Sequence, residues 1–259
     1  MEAWTIAQPS ERWTSSVEYF WLVEESASGV FEVVPDGRFD FGISLSRGSP
    51  RFILYGVATK RRQLIMEKGT RYAGARLRPG VALSRGLVDR RPLCDEEVER
   101  EEFGGIAARE IRNMFEEGAE VSVVEGILSP ILEKVVGIDD ADSRWVRRAT
   151  DSIIASKGSG RIDALATELG VSRRFLELVF KRTLGISPKR FAQITRLGAV
   201  ANLIRDREAD WAGLAAEFEF SDQAHMSRDV SRMTGYTPRH FKERVREMPE
   251  GWAGTVEED

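Results

Sequence analysis

Hydrophobic and polar residues alternate over much of the first ninety residues, which is the pattern of β-strands with one buried face. Residues 39–45 (FDFGISL) alternate throughout, directly after the turn signal Pro35-Asp36-Gly37. The denser apolar run Val17–Val23 predicts a strand that is covered on both faces. Shorter strands are predicted at Phe52–Val57 and Gln63–Met66. We therefore expect a small β-barrel or sandwich at the start of the chain.

The period changes at about Asp95 from that of strands to that of helices. Apolar residues recur at helical spacing over 106–115 and again over 121–135, where they form a single stripe. The two stripes could pack together, cover the β-rich region, or pair across a dimer. The acidic run Asp139-Asp140-Ala141-Asp142 then predicts a domain boundary.

A near-repeat dominates the last hundred residues. Residues 162–172 have counterparts 49 positions later, and after one extra residue Gly185-Ile186-Ser187-Pro188 returns 50 positions later as Gly235-Tyr236-Thr237-Pro238. The first copy predicts a short helix, a tight turn at Gly170 and a second helix with Ser172 as its N-cap. This is the pattern of a helix-turn-helix unit, and two copies make coincidence a poor explanation.

A longer helix is predicted between the two copies, from Ser187-Pro188 to about Asp206. A helix of about twenty residues spans roughly 30 Å. Successive major grooves on one face of B-DNA lie about 34 Å apart. A rigid connector of this length would therefore hold two recognition helices in adjacent grooves.

The charge distribution changes what the composition implies. The 259 residues include 38 Lys and Arg against 42 Asp and Glu, a net charge of −4 that by itself argues against nucleic acid. Residues 143–246, however, hold 16 Arg and 4 Lys against 12 Asp and Glu, a net charge of +8. The first 142 residues carry −7 and the tail from residue 247 carries −5. A basic module between acidic neighbours is typical of a domain that binds a polyanion.

The rare residues exclude most catalytic chemistry. The two histidines, His225 and His240, lack the spacing and companions of metal ligands, and the first 224 residues hold no imidazole. Cys94, the one cysteine, lies beside Asp95, where nothing favours a thiolate. We expect no enzyme activity, no metal and no cofactor. With neither an N-terminal apolar segment nor a membrane span, we expect a cytoplasmic protein.

Residues 143–246 resemble the DNA-binding domain of the AraC/XylS-type transcriptional regulators. The match is carried by both helix-turn-helix units and by residues 220–228 (FSDQAHMSR) and 235–241 (GYTPRHF). The N-terminal part resembles an uncharacterised domain that precedes this module, through residues 19–21 (YFW), 35–40 (PDGRFD) and 76–80 (RLRPG). The expected fold class is α+β. A β-rich domain with flanking helices spans 1–142, an all-α double helix-turn-helix domain spans 143–248, and an acidic tail spans 249–259.

The resemblance implies which side chains meet DNA. In the first unit, Ser172, Arg173, Arg174 and Glu177 occupy the exposed start of the recognition helix, and arginine suits guanine while glutamate suits cytosine. In the second unit the groove-facing positions are Gln223, His225, Ser227 and Arg228. Phosphate contacts are expected from residues near helix ends, namely Arg182, Lys189, Arg190, Arg239 and Lys242.

Two positions depart from the family pattern. Leu178 stands where the family often has arginine, which weakens the expected base reading by the first unit. Glu219 stands where glycine usually occupies the turn, so this residue either carries backbone strain or belongs to a turn of another shape.

The resemblance also implies a regulator that acts on double-stranded promoter DNA, commonly as an activator through RNA polymerase. An N-terminal effector pocket is predicted at Trp13, Tyr19, Trp21, Asp36 and Arg38, with the alternative that these residues are ordinary core and turn. The N-terminal domain could also mediate a homodimer. The alternative functions are a regulator fused to an enzyme and a DNA-binding protein without a regulatory role.

Overall fold

The N-terminal half of the chain is built on antiparallel β-strands. The computed structural model describes residues 4–23, 29–45, 50–84, 93–99, 111, 120–137, 140–206 and 210–247. The strands in these ranges are β1 Trp4–Ala7, β2 Val17–Val23, β3 Gly29–Val33, β4 Asp40–Leu45, β5 Arg51–Tyr55, β6 Arg62–Met66, β7 Arg71–Leu77 and β8 Glu97–Glu99. One six-stranded sheet has the order β1-β2-β7-β4-β5-β8, and β3 pairs with β6 in a separate two-stranded sheet, the β3–β6 ribbon.

Strand β2 contributes to two separate hydrophobic cores because its side chains alternate between the faces of the large sheet. Phe20 and Leu22 belong to the main core. Tyr19, Trp21 and Val23 form a second cluster with Met66 of the ribbon. The prediction of a strand covered on both faces is therefore confirmed.

Helix α1 (Val124–Val135) packs on β2 and β7 of the large sheet. A 3-10 turn, Val121–Val123, leads into it. Its apolar stripe is buried, so of the three arrangements considered for this stripe the structure shows the covering of the β-region. The buried residues are Val124, Leu128, Ile131, Leu132 and Val135. The helix predicted over 106–115 lies outside the described residues except for Ile111, which is buried.

The C-terminal half is all-α, as predicted. Its described helices are α2 Ala141–Ala155, α3 Ile162–Glu168, α4 Arg173–Thr183, α5 Pro188–Asp206, α6 Trp211–Glu217, α7 Gln223–Thr234 and α8 Pro238–Glu247. The acidic run before α2 supplies its cap, since the Asp140 carboxylate accepts a hydrogen bond from the Ser143 N–H at 2.9 Å. Residues of the acidic tail lie outside the described ranges.

The two halves are in close contact at the turn before β4. Gly37 has φ +74°, which favours glycine, and a Cβ added there would lie 2.8 Å from Cε2 of Phe191 on α5. The turn predicted at Pro35-Asp36-Gly37 therefore rests directly on the long helix of the C-terminal domain.

Candidate nucleic-acid interface and cavity

The turns of the two helix-turn-helix units have the same backbone geometry. After α3, the Val171 N–H donates to the Ala166 carbonyl at 2.9 Å, and after α6 the Phe220 N–H donates to the Ala215 carbonyl at 2.9 Å. Glu219 has φ +53°, in the same left-handed region as its counterpart Gly170 at +72°. The second turn thus keeps the shape of the first, and Glu219 adopts a conformation that disfavours side chains with a Cβ.

The extra residue of the second copy lies between its turn and its recognition helix. In the first unit the Ser172 hydroxyl accepts a hydrogen bond from the Phe175 N–H at 3.1 Å, which confirms the predicted N-cap. In the second unit Asp222, rather than Ser221, caps α7 by accepting from the His225 N–H at 2.6 Å. The sequence repeat aligns Ser221 with Ser172. Because the second copy has one extra residue at this point, the N-cap is the next residue, Asp222.

The repeat continues to the start of the following helix in each unit. Gly185 and Gly235 both have φ +75°. The Ser187 hydroxyl accepts from the Arg190 N–H at 3.1 Å, and the Thr237 hydroxyl accepts from the His240 N–H at 3.3 Å. The two units are therefore structural copies from the turn through the next helix N-terminus.

Helix α5 connects the units and carries a positioning residue that the sequence did not reveal. It has 19 residues, or roughly 28 Å at 1.5 Å per residue, close to the predicted length. From its middle, Arg196 donates to the Gly158 carbonyl at 2.8 Å and lies 5.1 Å above the Phe220 ring. Arg196 thus links the loop before the first unit to the turn of the second.

On the first recognition helix, α4, the adjacent side chains of Arg173 and Arg174 differ in how free they are to contact DNA. Arg173 donates to Glu177 at 2.9 Å and to Asp163 at 3.2 Å, so part of its charge is already neutralised. Arg174 is exposed and forms no ion pair with any residue that the structure describes. Leu178, one turn further on, is 45% exposed. Arg174 and Leu178 are therefore the side chains of this helix that are freest to enter a groove.

The second recognition helix, α7, presents polar side chains at its first turns. Gln223 and Arg228 are exposed. The Ser227 hydroxyl donates to the Gln223 carbonyl at 2.8 Å. His225 is held within 3.1 Å of the Ser221 hydroxyl and 3.7 Å of the Asp229 carboxylate, which fixes its ring at the helix surface. The four groove-facing residues expected in this unit thus occur together on the first turns of one helix.

The residues expected to contact phosphate lie in several different environments. Lys189 and Arg239 are exposed, and Arg239 pairs with Glu243 at 3.1 Å. Arg182 lies 3.5 Å from Asp142, and Lys242 is partly buried.

Arg190 is placed differently from what the sequence suggested. It donates to the Thr59 carbonyl of the N-terminal domain at 2.6 Å. Burial lowers the pKa of Arg190, and the nearby Arg232 adds to this shift. The structure therefore places Arg190 in the contact between the domains, a role that depends on tertiary packing and leaves no local sequence signal.

A cavity of about 380 Å³ lies between the large sheet and the β3–β6 ribbon. Trp4 stacks between Trp21 and Phe31, with ring centroids 5.2 Å and 5.7 Å away. Three carboxylates and three guanidinium groups line the cavity; they belong to Asp40, Glu67, Glu97, Arg51, Arg62 and Arg76. Among the described residues, Nε1 of Trp21 and Nη1 of Arg76 are buried donors without a hydrogen-bond partner. An occupant with hydrogen-bond acceptors would satisfy them.

Of the five residues predicted to form an effector pocket, Trp21 lines this cavity. Trp13 instead donates to the Ser129 hydroxyl of α1 at 2.8 Å. Tyr19 lies under the Arg76 guanidinium, 5.5 Å from ring centroid to Cζ. Asp36 pairs with Arg76 at 2.7 Å, and Arg38 pairs with Glu18. Each of these four has a partner inside the protein, and none of them lines the cavity.

Two copies of a helix-turn-helix unit, joined by a helix and each exposing polar side chains at the start of its recognition helix, define a DNA-binding protein of the double helix-turn-helix class. Comparison with known proteins agrees with this class. A model described as a helix-turn-helix domain matches residues 165–244, and one described as a domain of unknown function, DUF6597, matches residues 5–87. The chain belongs to the AraC family through its C-terminal domain, joined here to a DUF6597 domain.

Three known proteins illustrate this similarity. The HTH-type transcriptional activator RhaS of Escherichia coli O139:H28 is 31% identical over 81 residues, which are 31% of this chain and 29% of RhaS. A probable AraC family transcriptional regulator from Rhodopseudomonas palustris is 30% identical, covering 40% of this chain and 98% of that chain, with a TM-score of 0.36. An apo variant of ToxT from Vibrio cholerae is 10% identical, covering 87% of this chain and 97% of that chain, with a TM-score of 0.51, which shows a shared fold. The chain spans less than a third of the length of the curated relatives it matches.

Proposed function

We propose that this chain is a sequence-specific DNA-binding regulator of transcription. The observation that carries the proposal is that the two helix-turn-helix units have the same structure, with equivalent hydrogen bonds in their turns. Each unit exposes an arginine on its recognition helix, Arg174 in the first and Arg228 in the second. The name of the relative RhaS, a transcriptional activator, supports activation as the mode of regulation. Activation would require a contact with RNA polymerase as well as with promoter DNA.

The proposed complex places each recognition helix in a major groove. The connector α5, roughly 28 Å long, suits two grooves about 34 Å apart on one face of the duplex. Arg174, Gln223 and Arg228 would read bases, and exposed Leu178 suits the methyl group of thymine. Lys189 and Arg239 would contact phosphates and set the register. The expected binding site therefore covers about two helical turns of DNA.

Selection from a pool of random duplexes, followed by footprinting on the selected sequence, tests this proposal. We expect the full chain to protect one discrete region of about two turns with two separate clusters of preferred bases. A variant carrying both Arg174→Ala and Arg228→Ala should lose the discrete footprint. Equal binding to all duplexes would instead favour a DNA-binding protein without a regulatory role.

We also propose that the cavity binds a small-molecule effector. Its aromatic lining favours a flat ring, and the unpartnered donors of Trp21 and Arg76 favour a carbonyl or ring acceptor. The carboxylates and guanidinium groups of the lining balance in number, so a neutral ligand would bind without adding net charge to a partly buried site.

Thermal unfolding with a panel of neutral heteroaromatic amides tests the effector proposal. We expect at least one member to raise the melting temperature of the wild type in a concentration-dependent way. The variant Trp21→Phe keeps an aromatic ring but lacks the N–H, so its response should be weaker. Saturated-chain amides of the same size serve as the control, and equal responses to both series would contradict the proposed ligand class.

The remaining alternatives receive less support from the structure. Burial and the neighbouring Asp95 raise the pKa of the Cys94 thiol, which opposes a nucleophilic role for this residue. The proposed function therefore includes no catalysis. No helix in the described ranges is long and apolar enough to cross a membrane; the cytoplasm remains the proposed location. A homodimer would need a surface other than the stripe of α1, which is buried on the sheet.

A further inference from the structure

The β3–β6 ribbon contacts both the cavity and the C-terminal domain. Glu32 of β3 is opposite Gln63 of β6, and Phe31 is opposite Leu64. Since side chains alternate along a strand, Phe31 and Val33 line the cavity while Glu32 lies between them and points away from it. One short ribbon thus lines the cavity and also contacts the C-terminal domain, and Gln63, which lines the cavity, donates to Glu32 at 3.2 Å.

Glu32 is the centre of that contact. Its side chain is only 10% exposed, and its carboxylate accepts hydrogen bonds from Arg61 at 2.6 Å, from the Tyr236 hydroxyl, and from Arg244 at 3.3 Å. Tyr236 and Arg244 belong to the second helix-turn-helix unit and the helix that follows it. A single carboxylate of the N-terminal domain therefore holds two polar side chains of the DNA-binding domain.

Arg61 extends the contact to the recognition helix itself. Its main-chain N–H donates to the Met233 carbonyl at 2.9 Å, and its guanidinium donates to the Thr234 carbonyl at 2.7 Å. Met233 and Thr234 form the end of α7, where the last carbonyls have no partner within the helix. The guanidinium also lies 4.5 Å from the centroid of the Tyr236 ring. The N-terminal domain thus caps the second recognition helix at its C-terminus.

The internal repeat shows that this contact is specific to the second unit. Fifty positions before Tyr236 and Arg244, the first copy has Ile186 and Ile194, and both of these are buried in the main core. The second copy has polar side chains at the same positions, and both meet Glu32. The two copies therefore differ where one of them meets the ribbon.

We propose that Glu32 and Arg61 form a latch that positions the second recognition helix and couples it to the cavity through the β3–β6 ribbon. Movement of the cavity wall at Phe31 displaces the adjacent Glu32 and loosens the end of α7. The coupling is reciprocal, so an effector that binds better to the latched arrangement also strengthens binding to a two-groove DNA site. This inference rests on the proposed function for its role in regulation, whereas the latch itself is testable without DNA or effector.

Hydrogen exchange of the full chain tests the latch directly. We expect Glu32→Gln and Tyr236→Phe each to raise exchange at the amides that end α7 by about tenfold, while α4 of the first unit keeps its protection. The cavity variant Phe31→Ala should raise exchange at the same amides, and should add little in a Glu32→Gln background. Val30→Ala is the matched control, because Val30 lies on the same ribbon but is exposed and lines no part of the cavity. Unchanged exchange at α7 in all three variants would overturn the latch.

Binding to a duplex selected by the wild type provides the second measurement. We expect Tyr236→Phe to weaken binding to the two-part site by about tenfold and to leave binding to a duplex with only the first half unchanged. Equal losses on both duplexes would overturn the positioning role. Failure to select any duplex would count against the proposed function alone, because the exchange results would still decide whether the latch exists.

Discussion

Gly170 and Glu219 occupy the same left-handed position in two turns that lie 49 residues apart. The left-handed conformation destabilises a residue with a Cβ by about 1–2 kcal/mol. Glycine adopts it without this strain, but a glycine destabilises the folded state by about 0.5–1 kcal/mol because it loses more backbone entropy on folding. We predict that Glu219→Gly raises the free energy of unfolding by up to about 1 kcal/mol, measured by urea denaturation. It should also strengthen DNA binding at low salt, since it removes a negative charge near the second recognition helix.

Glu219→Ala separates backbone strain from charge in this prediction. It removes the same carboxylate but keeps a Cβ, so DNA binding should strengthen without the gain in stability. An equal rise in the free energy of unfolding in both variants would show that the backbone at Glu219 is unstrained.

The adjacent arginines of α4 should differ in their effect on sequence recognition. We predict that Arg174→Ala reduces discrimination at one base of the first half-site by about 1–3 kcal/mol, because this side chain is exposed and unpaired among the described residues. Arg173→Ala should have a smaller effect, since Glu177 and Asp163 already hold its guanidinium. Competition binding with single-base variants of the selected site measures both, and a larger loss for Arg173→Ala would contradict the assignment.

The effects of a residue that reads bases and of a residue that contacts phosphate should also be separable. We predict that Arg228→Ala lowers discrimination at one position of the second half-site, again by about 1–3 kcal/mol. Lys189→Ala should weaken binding to all sequences alike and should reduce the slope of log affinity against log salt by about 1. Titrations at several salt concentrations distinguish the two outcomes, and a sequence-dependent loss in Lys189→Ala would reject its assignment to phosphate.

The sequence predicted β2, β4, β5 and β6, and it missed β1, β3, β8 and the central strand β7. Residues 71–77 (RYAGARL) contain mainly small residues in the middle, which do not resemble a strand pattern. The structure gives the reason, because a Cβ on Gly74 would lie 2.3 Å from the Trp21 ring. The small residues leave room for an aromatic side chain from the neighbouring strand, and this requirement exists only once the strands are paired.

A similar limit applies to the candidate site. The repeat predicted both turns and the connector because their signals are local: glycine, an N-cap and helical spacing. The roles of Arg61, Arg190 and Arg196 depend on carbonyl groups that are distant in sequence, such as those of Thr234, Thr59 and Gly158. No pattern within a short window marks an arginine for such a contact, so only the assembled fold distinguishes these residues from the surface arginines.

The stability contributed by Glu32 should depend on pH with a defined sign. Burial opposes ionisation of this carboxyl, but hydrogen bonds from Tyr236 and Gln63 and the charges of Arg61 and Arg244 together hold its pKa below the usual value. A carboxylate with a lowered pKa in the folded state stabilises the fold fully above its unfolded pKa, about 4.3, and loses this contribution as the pH falls through the folded pKa. We therefore predict that Glu32→Gln lowers the free energy of unfolding by about 1–3 kcal/mol at pH 7. The difference from the wild type should be unchanged at pH 5.5 and should narrow below about pH 4 in urea denaturation curves. A difference that stays constant down to pH 3, or that already narrows between pH 7 and pH 6, would show that another group governs the contact.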